Sequence, residues 1–498
     1  MLLSFKSRRV RAAGWAIGLL VPSSLALALA PSPVTPTHAA YAAAAPRAAR
    51  DGLTRTDVSF RGGDGLVLHG TVVAPSRTTG RVPGIVLVGG SGPGPRQEYA
   101  QEAEAFARGG VVTLVYDKRT VGYSKMHRDF SLLAADALAG VRTLRARPGV
   151  DPAKVGLWGF SEGGWVAPLA ASRSSDVAYL ITIGGPGRTP LRTQTWYLAV
   201  HLRHDHVSGS LLDTIMGPAA HLVDGAGLFP EGGHDPVPVL QRLRQPVLAL
   251  WGEHDTQVPP RESAQVFERV LARAGNDHVT IRFVAGAGHN GHRTNDGFEN
   301  LGGPLLGGHP LGALAPGYAD TMTSWIHQVA AGHPPLSSTA APPRQAVTSR
   351  AASNGAWYGA NGLQWAAIAL FLLAFAGYPV TGIVRRTLGR TAAVPARRPA
   401  RLLAATGLVT VAGTLLYTVA VFATSGRLGD PVLVGRPLSW LILQLLAVIV
   451  AVTTGVTAVS AWRNRRTPAA GGRVRVAVVV TAGTIFIPWA VYWGLLAW

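Results

Sequence analysis

The last third of this chain restricts its fold more than any other part. Four apolar runs follow one another there: Leu363–Val384, Leu402–Thr424, Leu438–Trp462 and Val476–Trp498. Each is close to the ~20 residues that a helix needs to cross a bilayer. Core helices of a water-soluble protein rarely come four in succession with arginine-rich joints. The joints are unequal: Arg385–Arg401 carries six arginines and Arg463–Arg475 five, whereas Ser425–Pro437 has only Arg427 and Arg436. Positive charge stays on the cytoplasmic side, so the first and third joints are expected inside and everything just before Leu363 outside.

The other end of the chain argues the same way. Lys6, Arg8, Arg9 and Arg11 precede an apolar stretch, Ala12–Ala30, and a Pro- and Ala-rich segment with Thr37-His38-Ala39 as a small-residue cleavage site. This is the layout of a secretory signal peptide covering residues 1–39, or of a signal anchor if it is not removed. Both place the following segment outside the cytoplasm.

The formal net charge of +20 invites a nucleic-acid reading, but its distribution argues against one. Residues 51–343 hold 25 basic and 25 acidic groups, and the excess lies in the two flanks beside apolar runs. That pattern reflects membrane topology, and no nucleic-acid partner is expected. The chain has no cysteine, which excludes disulfides, zinc–thiolate sites and thiol catalysis. Lysine occurs only four times against 42 arginines, a bias expected of a GC-rich bacterial genome.

Between residues 51 and 331 short β-branched runs alternate with helix-like stretches. Strands are expected at Val58–Phe60, Leu66–Val73, Gly84–Val88, Val111–Tyr116, Lys154–Trp158, Ala178–Ile183, Val247–Trp251 and Val279–Val284. Helices are expected at Tyr99–Arg108, Leu132–Arg147, Gly164–Ala171, Glu262–Ala274 and Gly317–Val329. The class is α/β, with a mostly parallel, doubly wound sheet. Residues 187–242 break the rhythm and are read as an inserted cap; 332–362, rich in Pro, Ser, Ala and Gly, as a linker. The balanced charge implies that residues 47–335 would be soluble and active alone.

Within this region GLWGFSEGGW, residues 156–165, places Ser161 between a strand and a helix. A G-x-S-x-G turn in that context is a nucleophile elbow; a bare Gly/Ser turn is the bland alternative. A serine needs a base, and the base an acid to orient it. Asp255, in WGEHDTQVP after the strand Val247–Trp251, and His289, in GAGHNGH after Val279–Val284, supply both in the order Ser, Asp, His. Glu253 and His292 are the nearest rivals. The glycine turn GGSGPG after Gly84–Val88 suits an oxyanion hole, with backbone N–H groups from Ser91 and Glu162. It lacks the Lys-Ser/Thr of a phosphate cradle. The cluster His201-Leu202-Arg203-His204-Asp205-His206 lacks metal-ligand spacing and reads as a polar face of the cap. No metal or organic cofactor is expected.

These motifs, with YDKRTVGYS at 116–124, resemble the α/β-hydrolase superfamily, near bacterial esterases of the serine aminopeptidase-like branch. The resemblance covers residues 54–331. It implies an α/β-hydrolase fold with a cap and a serine hydrolase acting on a small acyl substrate; the bilayer, as the other partner, is implied by the four apolar runs. Peptidase, thioesterase and acyltransferase chemistry stay open on the same triad, as does a non-catalytic binding ectodomain. Two departures stand out: Thr120 replaces the first glycine of the usual D-K-R-G-x-G-x-S, and Gly89 stands where many relatives have histidine.

Overall fold

The computed structural model describes residues 51–352, 355–389, 394, 396–464 and 470–497. The signal segment expected at 1–39 lies outside the described residues. Eight of the nine strands of the main sheet are β1 (Leu53–Arg61), β2 (Val67–Pro75), β3 (Val82–Val88), β4 (Val112–Tyr116), β5 (Val150–Phe160), β6 (Leu180–Ile183), β7 (Val247–Gly252) and β8 (Val279–Val284). The order is β1-β2-β4-β3-β5-β6-β7-β8, with β2 antiparallel to both neighbours and every later pair parallel. The inner strands are apolar on both faces, as VTLVY in β4 and LITI in β6 show, because helices cover both sides.

Helices α1 (Ala100–Arg108), α2 (Phe130–Arg145), α3 (Gly163–Ala171), α8 (Pro260–Arg273) and α9 (Tyr318–Ala330) flank the sheet, with α4–α7 inserted between β6 and β7. Their starts follow local chemistry. Asp129 caps α2 by accepting from Leu132 N–H at 2.9 Å, and Pro260 opens α8, where the missing N–H costs nothing. Residues Val88, Phe160, Ile183, Gly252 and Val284 all end their strands at one edge. Successive strands leave β3 in opposite directions, so this edge holds the switch point where open α/β folds gather their sites. This is the α/β-hydrolase fold.

The insertion comprises α4 (Pro190–His204), α5 (Ser210–Thr214), a π turn (Ile215–Ala219), α6 (Ala220–Gly225) and α7 (Val237–Leu240). The carboxyl-terminal helices are α10 (Asn361–Thr387), α11 (Arg397–Ala423), α12 (Leu438–Arg463) and α13 (Ala470–Tyr492). Each is long and apolar enough to cross a membrane. They close a ring in which α10 packs on α11, α11 on α12, α12 on α13 and α13 on α10. Small residues allow the approach: Gly407 lies under the Phe375 ring and Gly483 against Thr454. Outward-facing Leu373, Leu416, Leu445 and Val452 remain exposed, as a lipid-facing surface requires.

The fourth span differs from the expected 476–498, ending at Tyr492 instead. Gly494 adopts φ 68° and breaks the helix, and Trp493 and Leu495 turn under the insertion and are buried. The segment after α9 is also more ordered than its composition implies. Ser338–Thr339 adds parallel to β8, and Ser349 is buried, donating from N and Oγ to the Glu262 carboxylate at 2.8 and 2.5 Å. Arg192 in α4 holds Ser349 from the other side.

The insertion and the bundle share one core. Trp196, Leu198, Leu202, Leu211, Ile215, Met216 and Leu222 pack in a single apolar cluster with Phe371, Phe375, Trp440, Trp489 and Trp493. Polar contacts fasten the seam: Thr214 Oγ1 donates to Trp493 O at 2.8 Å and Gln444 to Gly494 O at 3.2 Å. The neutral charge of residues 51–343 gave no sign of this. The shared core bears on the expectation that 47–335 stands alone, because the insertion packs into a core that the bundle completes.

Candidate active site

Ser161 follows β5 directly and has φ 53°, a left-handed conformation that a non-glycine residue adopts only when its surroundings impose it. Both flanking glycines are required. A Cβ on Gly159 would overlap the Gly163 backbone, and one on Gly163 would overlap Val88 O at the end of β3. Ser161 N–H donates to Ile183 O at 3.0 Å, tying the turn to β6.

Asp255 and His289, 34 residues apart, meet at this edge. Asp255 Oδ2 lies 2.9 Å from His289 Nδ1, with both side chains buried. Asp255 Oδ1 accepts the backbone N–H groups of Gln257 and Val258, each at 2.9 Å, so the carboxylate is fixed before it holds the ring. The imidazole packs on the Phe160 ring with centroids 5.0 Å apart, one residue from Ser161. A Cβ at Gly184 would crowd it. Its Nε2 is buried, with no hydrogen-bond partner among the described residues.

The rivals are engaged elsewhere. Glu253 accepts Gly286 N–H at 3.1 Å on the surface. His292 places Nε2 2.8 Å from Glu102 Oε1 and Nδ1 2.5 Å from Leu311 O, leaving neither nitrogen for substrate. Burial opposes charge on His292, but the hydrogen bond and charge of Glu102 outweigh it and raise its pKa. A raised pKa in the folded state stabilises fully below the ordinary value of about 6.5 and is lost as pH climbs through the folded value. The gap in thermal midpoint between the native protein and His292→Gln is therefore expected to shrink as pH rises from 6 to 8. A gap constant with pH would contradict this.

The glycine turn abuts the elbow: a Cβ built on Gly90 would lie 3.4 Å from Ser161 Cβ. Gly90 N–H donates to Tyr99 Oη at 2.8 Å and Gly92 N–H to Tyr123 Oη at 2.9 Å. Between these two occupied donors, the Ser91 N–H has no internal acceptor among the described residues, nor does that of Glu162. The Glu162 side chain is buried and takes Lys118 Nζ, Tyr123 Oη at 2.6 Å and, as an ion pair, Arg128 Nε at 3.2 Å. Lys118 also donates to Gly90 O at 2.6 Å. Burial pulls the Lys118 pKa down, and Glu162 works against that. One ionic knot thus fastens the elbow to the glycine turn.

Sequence reasoning did not assign Lys118, Tyr123, Tyr99 or Arg128. YDKRTVGYS was the available signal for the first two, since its Lys118 and Tyr123 reach the elbow and the glycine turn. The two departures also have physical accounts. Thr120 is exposed and is not among the positive-φ residues, so glycine is not needed there. A side chain at Gly89 would collide with the Tyr99 ring, which fills that space. In the HLRHDH stretch, His201 and His204 flank the Phe298 ring, at 5.0 and 3.6 Å between centroids. Burial, with the nearby Arg427 charge, pushes the His201 pKa down to about 4, so that ring is neutral packing.

Residues 139–291, from α2 to the loop after β8, match the family described as BAAT / Acyl-CoA thioester hydrolase C terminal. The chain is 33% identical over 133 residues to the polyketide transferase ATR5 of Stachybotrys chlorohalonatus, covering 26% of this chain and 44% of that protein. It is 33% identical over 137 residues to the thiohydrolase apmlB of Arthrinium phaeospermum, covering 25% and 41%. Similarity to the esterase EstD of Thermotoga maritima is 27% over 234 residues, 43% of this chain and 55% of that one. The chain thus spans less than half the length of the first two relatives. Strand order, elbow and matched stretch together make the sheet-bearing part of this chain an α/β-hydrolase fold, carried on a chain that ends in four apolar helices.

Proposed function

We propose that this protein is a membrane-tethered serine hydrolase that cleaves an ester-like acyl bond on the outer side of the membrane. The observation that carries this reading is the Asp255–His289 pair at 2.9 Å, with Nε2 unpartnered among the described residues, beside an elbow serine. Ser161 Oγ attacks the acyl carbonyl while its proton passes to His289 Nε2. Asp255 stabilises the imidazolium and fixes its orientation. The oxyanion is received by the N–H groups of Ser91 and Glu162. His289 then protonates the leaving group, the carbon–leaving-group bond breaks, and an acyl-serine remains. Water, deprotonated by the same histidine, releases the acid.

A thioester in place of an oxygen ester is the second reading. It is favoured by the matched acyl-CoA thioester hydrolase family and by the thiohydrolase among the relatives. A fluorophosphonate is expected to label Ser161, and a panel of matched oxygen esters, thioesters and amides ranks the leaving groups. Absence of label on folded protein would defeat the serine mechanism.

The outer location is supported from three directions: the amino-terminal segment, the arginine-rich joints, and the docking of the insertion on the bundle end away from those joints. That end comprises Asn361, the loop 424–437 and Trp493. Since the chain has no native cysteine, single cysteines report sidedness cleanly. A cysteine at exposed Ala351 is expected to react with an impermeant maleimide on intact cells, and one at exposed Thr387 only after lysis. The reverse pattern would overturn the topology.

A further inference from the structure

Two short routes join the candidate site to the outer end of the bundle. The first begins at Trp357 and Tyr358, exposed aromatics just before α10, with Tyr358 edge-on to Tyr492 at 5.5 Å. Such a pair suits the headgroup level of a bilayer. The Asn361 side chain there lies against Gly225 at the end of α6. Four residues on, Phe229 sits under the Arg128 guanidinium at 5.4 Å, and Arg128 reaches Ser91 Oγ at 3.1 Å and Glu162 at 3.2 Å. Leu228 beside it is 48% exposed.

The second route begins at the α11–α12 loop, where Gly426 lies against Leu202 and His201 in α4. His201 and His204 hold Phe298. The neighbouring Gly297 O accepts from Thr256 Oγ1 at 2.9 Å, next to Asp255. Glycine turn and acid loop are therefore each linked, through a few contacts, to segments at one end of the apolar bundle. The insertion that bridges them cannot swing free into water, because its apolar side belongs to the bundle core.

Resting on the hydrolase reading above, we propose that the substrate is a membrane-partitioned acyl ester or thioester, taken from the outer leaflet where the insertion meets the bundle. Moving an acyl chain from lipid to water costs roughly fourfold in equilibrium per methylene. A site held at the bilayer surface admits the carbonyl while most of the chain stays in lipid.

The test uses the full chain reconstituted in phosphatidylcholine–phosphatidylglycerol vesicles, with 4-methylumbelliferyl palmitate as probe and the acetate ester as its water-soluble counterpart. Palmitate ester in the protein's own bilayer is expected to turn over at least about tenfold faster than the same amount in separate protein-free vesicles, through its local concentration. The rate should fall as phosphatidylcholine dilutes the ester within that bilayer at constant bulk amount. Equal rates from both vesicle populations, or turnover of acetate with none of palmitate, would overturn the membrane route and leave the hydrolase reading standing. Failure of every ester together with absence of fluorophosphonate label would overturn both.

Discussion

Ser161→Ala is expected to abolish fluorophosphonate labelling and to lower ester turnover by about 10⁴- to 10⁶-fold while leaving the fold intact. In the proposed mechanism the hydroxyl forms the acyl intermediate, and Ala has no atom to replace it. His289→Ala should fall within about tenfold of that loss, since residues acting as one unit are not additive. Asp255→Asn should cost about 10⁴-fold, because an amide at that position favours the wrong ring tautomer. His292→Ala serves as the control on the choice of histidine. Its ring nitrogens are taken by Glu102 and Leu311 O, so the variant should lose stability at low pH and retain labelling. An active His289→Ala beside an unlabelled His292→Ala would reverse the assignment.

Severing the bundle is expected to be nearly as damaging. A fragment ending at residue 352 keeps every proposed catalytic group and the Ser349–Glu262 contact, but uncovers the bundle-facing side of the insertion. Leu198, Leu202, Leu211, Ile215, Met216 and Leu222 are all buried in the shared cluster. Full burial of such side chains stabilises by about 1.5–3 kcal/mol each, so uncovering half their area withdraws about 6 kcal/mol. That is comparable with the whole stability of an ordinary domain. The fragment should aggregate or lose the insertion's structure, read by size-exclusion chromatography and by turnover against the full chain in detergent. Ending at 335 should be worse, since Glu262 then loses Ser349 and Gln345 and β8 loses its edge partner. A monodisperse, fully active 51–352 fragment would show the shared core to be dispensable.

What the sequence by itself determined was local or periodic. Apolar strands such as VTLVY, bounded by turn residues, announce a buried parallel sheet because both faces must be covered. Gly159 and Gly163 mark the elbow because a strand-to-helix turn that tight excludes side chains, and four ~20-residue apolar runs have few other solutions than a bundle in lipid. The order Ser161, Asp255, His289 was legible because each residue follows a recognisable strand within a few positions. Tertiary structure alone decided how far those strand ends converge, and it brought together partners that no local pattern links. Glu162 meets Lys118 and Tyr123 only because β4 and β5 flank β3. Tyr99 fills the space above Gly89, a role that no local pattern signals. Thr214 meets Trp493, 279 residues later, across a seam whose apolar residues look, in sequence, like the core of an ordinary cap. Hydrophobic patterning states that a face must be buried; it does not state against what.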